Sequence, residues 1–151
     1  MSVQSNKEPY WEKNNGTGKK ISFYLEDCVR GMQDILSEKS VDLVVTSPPY
    51  NIRINYSTHQ DNLPRQDYLA WMDRIAESVK QVLKDDGSFF LNVGNIPRDQ
   101  WIALDVAQVV RRHLNLQNVI HWIKSISINR ADAGNSHGLK EDTSFWHFKP
   151  I

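Results

Sequence analysis

Short apolar runs along this chain alternate with longer segments in which apolar residues recur every three or four positions. Val41-Asp42-Leu43-Val44-Val45 is a β-branched run of strand length, and Val41–Thr46, Ile21–Leu25 and Ser88–Gly94 are predicted as strands. Tyr68, Trp71, Met72, Ile75, Val79 and Val82 keep a helical period, which predicts a helix over Asp67–Lys84 ended by Asp86-Gly87. Cys28–Leu36 reads as a short helix, Trp101–His113 as an amphipathic helix and Asn118–Ser125 as a last strand. Polar stretches lie between and around these elements. Residues 1–20, with Gly16-Thr17-Gly18-Lys19-Lys20, read as a flexible arm, and residues 126–151 as a loop. Asn51–Gln66 is long enough to be functional rather than a simple connector. Strands alternating with helices argue for one α/β domain with a parallel sheet, and there is no internal repeat.

The strand at Val41 must stop at Thr46, because Pro48 and Pro49 cannot continue a ladder. A stiff loop is left at a strand's carboxyl end, where open α/β sheets bind their ligands. Thr46-Ser47-Pro48-Pro49-Tyr50-Asn51 offers a hydroxyl at Ser47, a carbonyl at Pro48 and an aromatic face at Tyr50. These groups suit the exocyclic amino group of a flat base. That nitrogen is a poor nucleophile, since its lone pair is delocalised into the ring. Two acceptors, one on each N–H, draw it toward a tetrahedral shape and aim the lone pair at an electrophile. Proline fixes φ, so the carbonyl is in place before the base arrives. Tyr50 can stack on a base that has left its duplex. A plain Pro-Pro turn with Tyr50 on the surface explains the tetrapeptide alone about as well.

The surrounding residues change that balance. The stretch from Phe23 to Asn51 resembles the catalytic region of the DNA amino-methyltransferases, the S-adenosylmethionine-dependent enzymes acting on cytosine-N4 or adenine-N6. Their tetrapeptide is Ser, Asp or Asn, then Pro-Pro, then Tyr, Phe or Trp, and Ser47 to Tyr50 match it position by position. Further matches are Tyr68-Leu69-Ala70-Trp71-Met72, Gly87–Gly94 and His147-Phe148-Lys149-Pro150-Ile151, so the resemblance covers residues 21–151. It implies a partial doubly wound, Rossmann-like methyltransferase sheet, mostly parallel, with helices on both faces. Ser47, Pro48, Pro49 and Tyr50 are then catalytic, and the Ser form after Thr46 resembles the cytosine-N4 branch. Asp27 and Cys28, before the short helix, would hold the cofactor's adenine with carboxylate and backbone N–H, and Thr46 adds a cofactor contact. Helix capping explains Asp27 as well. Asn51, Asn92, Gly94 and Asn95 are candidates for the target-base pocket, although a strand-end turn accounts for the last three nearly equally. Tyr56 and Asp61 share the loop after the tetrapeptide, which closes over the substrate in the family.

Composition narrows the partners. The balance of 18 basic and 18 acidic residues gives no global nucleic-acid signature. Residues 98–130 lean positive, through Arg98, Arg111, Arg112, Lys124 and Arg130, which is more often a solvated face than a phosphate contact. One cysteine excludes an internal disulfide and fits a reducing cytoplasm. Five histidines lack metal-ligand spacing, so no metal is expected. No apolar run is long enough to span a membrane, and Met1 opens no signal-peptide pattern.

None of the seven glycines forms the glycine-rich turn that the family uses for the methionine part of its cofactor. The resemblance is therefore to the amino-terminal, catalytic half: an arm over 1–20, a partial catalytic domain over 21–125, and a tail over 126–151 leading toward a recognition and cofactor half. DNA is the implied substrate. Self-association, or a complementary subunit carrying the glycine-rich strand, is the implied means of completing the site. An adenine-N6 enzyme, an enzyme acting on structured RNA, or a non-catalytic nucleic-acid-binding protein keeping the loop are the alternatives.

Overall fold

The computed structural model describes residues 8–56, 61–95, 99–122 and 143–151. Strands β1 (Trp11–Asn14) and β2 (Lys20–Phe23) form an antiparallel hairpin of their own. Gly16 and Gly18 sit in its turn at φ 74° and 81°, a region that residues with a side chain rarely enter. Across the hairpin Trp11 meets Phe23, and Lys20 pairs with Glu12. Residues 11–14 are thus a strand rather than part of a polar arm, and the predicted Ile21 strand belongs to this hairpin, outside the main sheet.

Helix α1 (Cys28–Ile35), strand β3 (Val41–Thr46), helix α2 (Arg65–Val82), strand β4 (Leu83–Gly94), helix α3 (Ile102–Val110), strand β5 (Leu114–Trp122) and strand β6 (Thr143–Pro150) follow. The main sheet has the order β3-β4-β6-β5. Strands β3 and β4 are parallel, whereas β6 runs antiparallel to both β4 and β5. Hence β3, β4 and β5 point one way and β6 returns between them. This is a correction: the sheet is mixed where a mostly parallel one is expected, and residues 143–150 are a strand where loop is expected. Buried Trp146 and Phe148 alternate with half-buried His147 and Lys149, the period of a strand with one covered face.

Phe89, Leu91 and Val93 turn to the same face as Trp146 and Phe148, and that face meets Met72, Ile75 and Val79 of α2 and Val106 and Val110 of α3. Burying each such side chain contributes about 1.5–3 kcal/mol. Val29 and Met32 of α1 join the same cluster from its margin. The opposite face of the sheet carries Leu43, Val45 and Ile120, each more than half exposed, and no described helix covers it. Among the described residues the helices therefore occupy one face, not two.

Helix α2 ends at Val82 and not at Gly87. The N–H of Leu83 returns to the Val79 carbonyl, and Leu83 itself is already extended. The ladder then jumps from Val41 opposite Leu83 to Leu43 opposite Ser88, so Lys84–Gly87 forms a bulge. No described helix is long and apolar enough to cross a membrane.

Candidate active site

The ladder of β3 stops at Thr46, and the two prolines carry the chain off the carboxyl edge of the sheet. Ser47 is exposed, Pro48 buried, and Pro49 and Tyr50 half-buried. The Ser47 Oγ and Tyr50 Oη atoms lie 2.9 Å apart in a hydrogen bond. Behind them, Tyr68 in the first turn of α2 donates its hydroxyl to the Pro49 carbonyl at 3.0 Å. Burial pushes the Tyr68 phenol well above its usual pKa, and the negative charge of the Asp61 carboxylate adds to it. Tyr68 therefore stays protonated and donating at neutral pH.

Past Tyr50 the chain turns twice through left-handed backbone, at Asn51 (φ 61°) and Arg53 (φ 69°). The N–H of Asn51 donates to Asp61 Oδ1 at 2.8 Å, and those of Ile52 and Ile54 donate to Asp61 Oδ2 at 3.1 and 2.9 Å. The N–H of Arg53 donates to the Asp61 carbonyl at 2.6 Å. Asn51 Nδ2 donates to the Leu63 carbonyl at 2.7 Å, while its Oδ1 is buried with no hydrogen-bond partner among the described residues.

Thr46 stands opposite Leu91 on β4, so Asn92, Gly94 and Asn95 come up alongside the tetrapeptide at the same edge. Asn92 Oδ1 is buried without a partner among the described residues. Gly94 continues the ladder opposite Thr143. Asn95 Oδ1 accepts from the N–H of Ala103 at 3.3 Å, so its side chain anchors the start of α3. The Arg65 guanidinium at the start of α2 pairs with both Asp99 and Asp105, tying α2 to the entry of α3 beneath the same edge.

Asp27 and Cys28 belong to a different element, the start of α1, which packs on α2. Asp27 Oδ1 accepts from the N–H groups of Val29 at 3.1 Å and Arg30 at 3.2 Å, a helix N-cap. Burial and then the Asp27 carboxylate push the Cys28 thiol up, away from thiolate character. The structure thus gathers Thr46, the tetrapeptide, Asn51 and the end of β4, and gives Asp27 a structural task of its own.

Residues 41–146 match the model of the family described as DNA methylase. The chain belongs to this DNA methylase family. It is 43% identical over 130 residues to the type II methyltransferase M.MjaVI of Methanocaldococcus jannaschii, covering 83% of this chain and 63% of the relative. To the type II methyltransferase M.BglII of Bacillus subtilis it is 35% identical over 133 residues, covering 83% of this chain and 34% of the relative. It therefore spans less than two thirds of either curated relative. Among solved structures it is similar to the PvuII DNA methyltransferase (cytosine-N4-specific), with TM-score 0.63, 22% identity, and 85% of this chain against 48% of that one. A Thermus thermophilus protein described as a putative DNA modification methylase, complexed with S-adenosyl-L-methionine, gives TM-score 0.57 at 20% identity over 83% and 51% of the two chains. The fold is accordingly the Rossmann-like methyltransferase fold, in its α/β form with a mixed sheet.

The matched region holds the tetrapeptide, Asp61, Tyr68 and the β4 edge, and begins after Asp27. The sequence names Asp61 as a member of the substrate loop and Tyr68 within a family match, but the hydrogen-bonding task of neither is read from it. Tyr68 reads as one more position of the helical stripe, although a tyrosine one turn past a polar loop is placed to reach back into it. Asp61 reads as one acid in a polar loop, with nothing nearby in sequence to mark its partners.

Proposed function

We propose that this chain carries the target-base half of an S-adenosylmethionine-dependent DNA methyltransferase of restriction-modification type, acting on cytosine-N4. The observation that carries the proposal is the exposed Ser47 hydroxyl at the carboxyl end of β3, held 2.9 Å from Tyr50 Oη. A serine that must accept from an amine has to place its own proton elsewhere. Tyr50 Oη receives it, leaving the Ser47 lone pairs facing outward. The amine's two N–H groups donate to Ser47 Oγ and to the Pro48 carbonyl, which localises the nitrogen lone pair. Tyr50 stacks on the ring of the flipped base. The methyl group would pass to this nitrogen as its bond to the sulfonium sulfur breaks, sulfur keeping the electron pair, and the nitrogen's surplus proton would leave to water. The serine form of the tetrapeptide supports cytosine over adenine.

S-adenosylmethionine, when bound, supplies the electrophilic methyl group. A carboxylate has about four acceptor sites. Asp27 uses Oδ1 for its helix cap, and its exposed carboxylate keeps capacity for an adenine amino group. The Cys28 N–H as donor and Thr46 at the strand end would join Asp27 in holding the adenosine part of the cofactor. No glycine of this chain fits the methionine part. We infer that the methionine part of the cofactor site is supplied from outside these 151 residues, by further residues of a longer chain, a complementary subunit or a second copy.

Ser47→Ala in the methylating assembly tests the role of the loop. Losing one preorganised hydrogen-bond partner costs on the order of 2.7–4 kcal/mol of barrier. Turnover should fall accordingly while cofactor affinity holds, and wild-type turnover would sink the role. Tyr50→Phe should lose less than Tyr50→Ala, because base stacking on an aromatic is worth about 1–3 kcal/mol.

A further inference from the structure

Four successive amides, those of Asn51, Ile52, Arg53 and Ile54, all end on one residue, Asp61. Three of them converge on its carboxylate, which is only 3% exposed. Lys39, Asn51 and Arg53 are the described non-glycine residues with positive φ, so two of the three lie in this one segment. Left-handed residues at alternate positions turn successive N–H groups inward and build a concave anion-binding nest. Such nests elsewhere receive phosphates or other anions. Here the occupant is the chain's own carboxylate, supplied from across the loop. A buried carboxylate without such donors would be strongly unfavourable, and two non-glycine residues at positive φ would relax without the anion.

The nest begins at Asn51, the residue directly after the tetrapeptide. Tyr50 is therefore fastened on its carboxyl side by Asp61, as Pro49 is fastened by the Tyr68 hydroxyl. Ser47 owes its orientation to Tyr50 Oη. We propose that Asp61 is the positioning residue of this loop: its carboxylate acts as an internal anion that sets the nest at 51–54 and thereby presents Tyr50 and Ser47 to the target base. The proposal rests on the functional reading above for its consequence in catalysis, and on the hydrogen bonds alone for its effect on the loop. It needs a carboxylate specifically. An amide of the same shape would turn Nδ2–H₂ toward backbone N–H groups, donor against donor.

The test uses the 151-residue chain with three variants, Asp61→Ala, Asp61→Asn and Asp61→Glu. Amide hydrogen exchange reads the N–H groups of residues 51, 52 and 54 directly. In Asp61→Ala they should exchange at least tenfold faster, and added formate, a small carboxylate that fits the emptied nest, should restore protection. Formamide, equal in shape and uncharged, should not. Asp61→Asn should resemble Asp61→Ala in spite of its matching size. In the methylating assembly Asp61→Ala should lower kcat roughly 100-fold, as a misplaced reacting group does, and move the KM for S-adenosylmethionine less than twofold. Formate should recover part of kcat. Protected amides in Asp61→Ala, or equal rescue by formamide, would overturn the proposal. An assembly that never methylates would defeat the functional reading, while the exchange rates would still decide the clamp. Should Asp61→Ala fail to fold, Asp61→Glu keeps the question open to experiment: its longer carboxylate should retain protection at part of the nest and a reduced kcat, and full wild-type behaviour in Asp61→Asn would contradict the charge requirement.

Discussion

Tyr68 ties packing to chemistry at the scale of single residues. Its ring is buried in the core while its hydroxyl holds the Pro49 carbonyl. Tyr68→Phe keeps the ring and removes the donor, and should cost about 1–3 kcal/mol because a carbonyl in a half-buried loop loses its partner. Its raised pKa gives a second readout. Below the ordinary tyrosine value both folded and unfolded chains keep the proton, and the contribution to stability is whole. Above it the unfolded chain releases the proton first, so stability falls as pH rises through the ordinary value toward the folded one. Urea titrations between neutral pH and pH above 10 should show that slope in wild type and less of it in Tyr68→Phe.

Asp27 separates two roles by substitution. Asn is as good an N-cap as Asp, whereas Ala is not. Asp27→Ala should lose about 1 kcal/mol of stability through the cap. Asp27→Asn should keep stability, yet weaken S-adenosylmethionine binding in the completed assembly if the carboxylate holds adenine. Unchanged cofactor affinity in Asp27→Asn would leave Asp27 as a cap alone. The tetrapeptide itself was legible, because two prolines after a β-branched run have few explanations. The nest was not. Its bonds join residues ten and fewer positions apart through backbone dihedrals that no periodicity encodes.

Among the elements, β3 has the bounds that its apolar run predicts, and α2 differs from its predicted span by two residues at each end. The misreading lies at Gly87. A glycine after a helical stripe suggests a cap, but here it is buried within the bulge of β4, where an added Cβ would meet Leu83 Cγ at 2.8 Å and Cδ1 at 2.9 Å. Its reason is space, not a left-handed turn. Gly87→Ala should therefore destabilise the fold by about 1–3 kcal/mol through overpacking, as measured by denaturant unfolding. A neutral Gly87→Ala would show that Leu83 can move aside. Strand β6 escaped a reading based on composition, since its polar approach masks the alternation of Trp146, His147, Phe148 and Lys149. Its insertion between β4 and β5 turns Trp146 and Phe148 to the face that the helices cover.

For the molecule as a whole, the uneven sheet matters most. One face is packed by three helices, and the other offers Leu43, Val45 and Ile120 to solvent. Among the described residues β3 pairs on one side only. An edge strand with apolar neighbours is an association surface. Val45→Lys should weaken self-association or binding of a complementary subunit in sedimentation experiments while leaving thermal unfolding nearly unchanged. Unaltered association would place the contact elsewhere.

The central claim is that Ser47 and its tethered loop activate an exocyclic amine of cytosine in DNA. The most direct measurement is nucleoside mass analysis of DNA methylated by the assembly purified from its own cells, for wild type and Ser47→Ala side by side. N4-methylcytosine from wild type and its near disappearance in Ser47→Ala are the predicted result. Adenine-N6-methyl as the sole product, or equal N4-methylcytosine from both proteins, would contradict it.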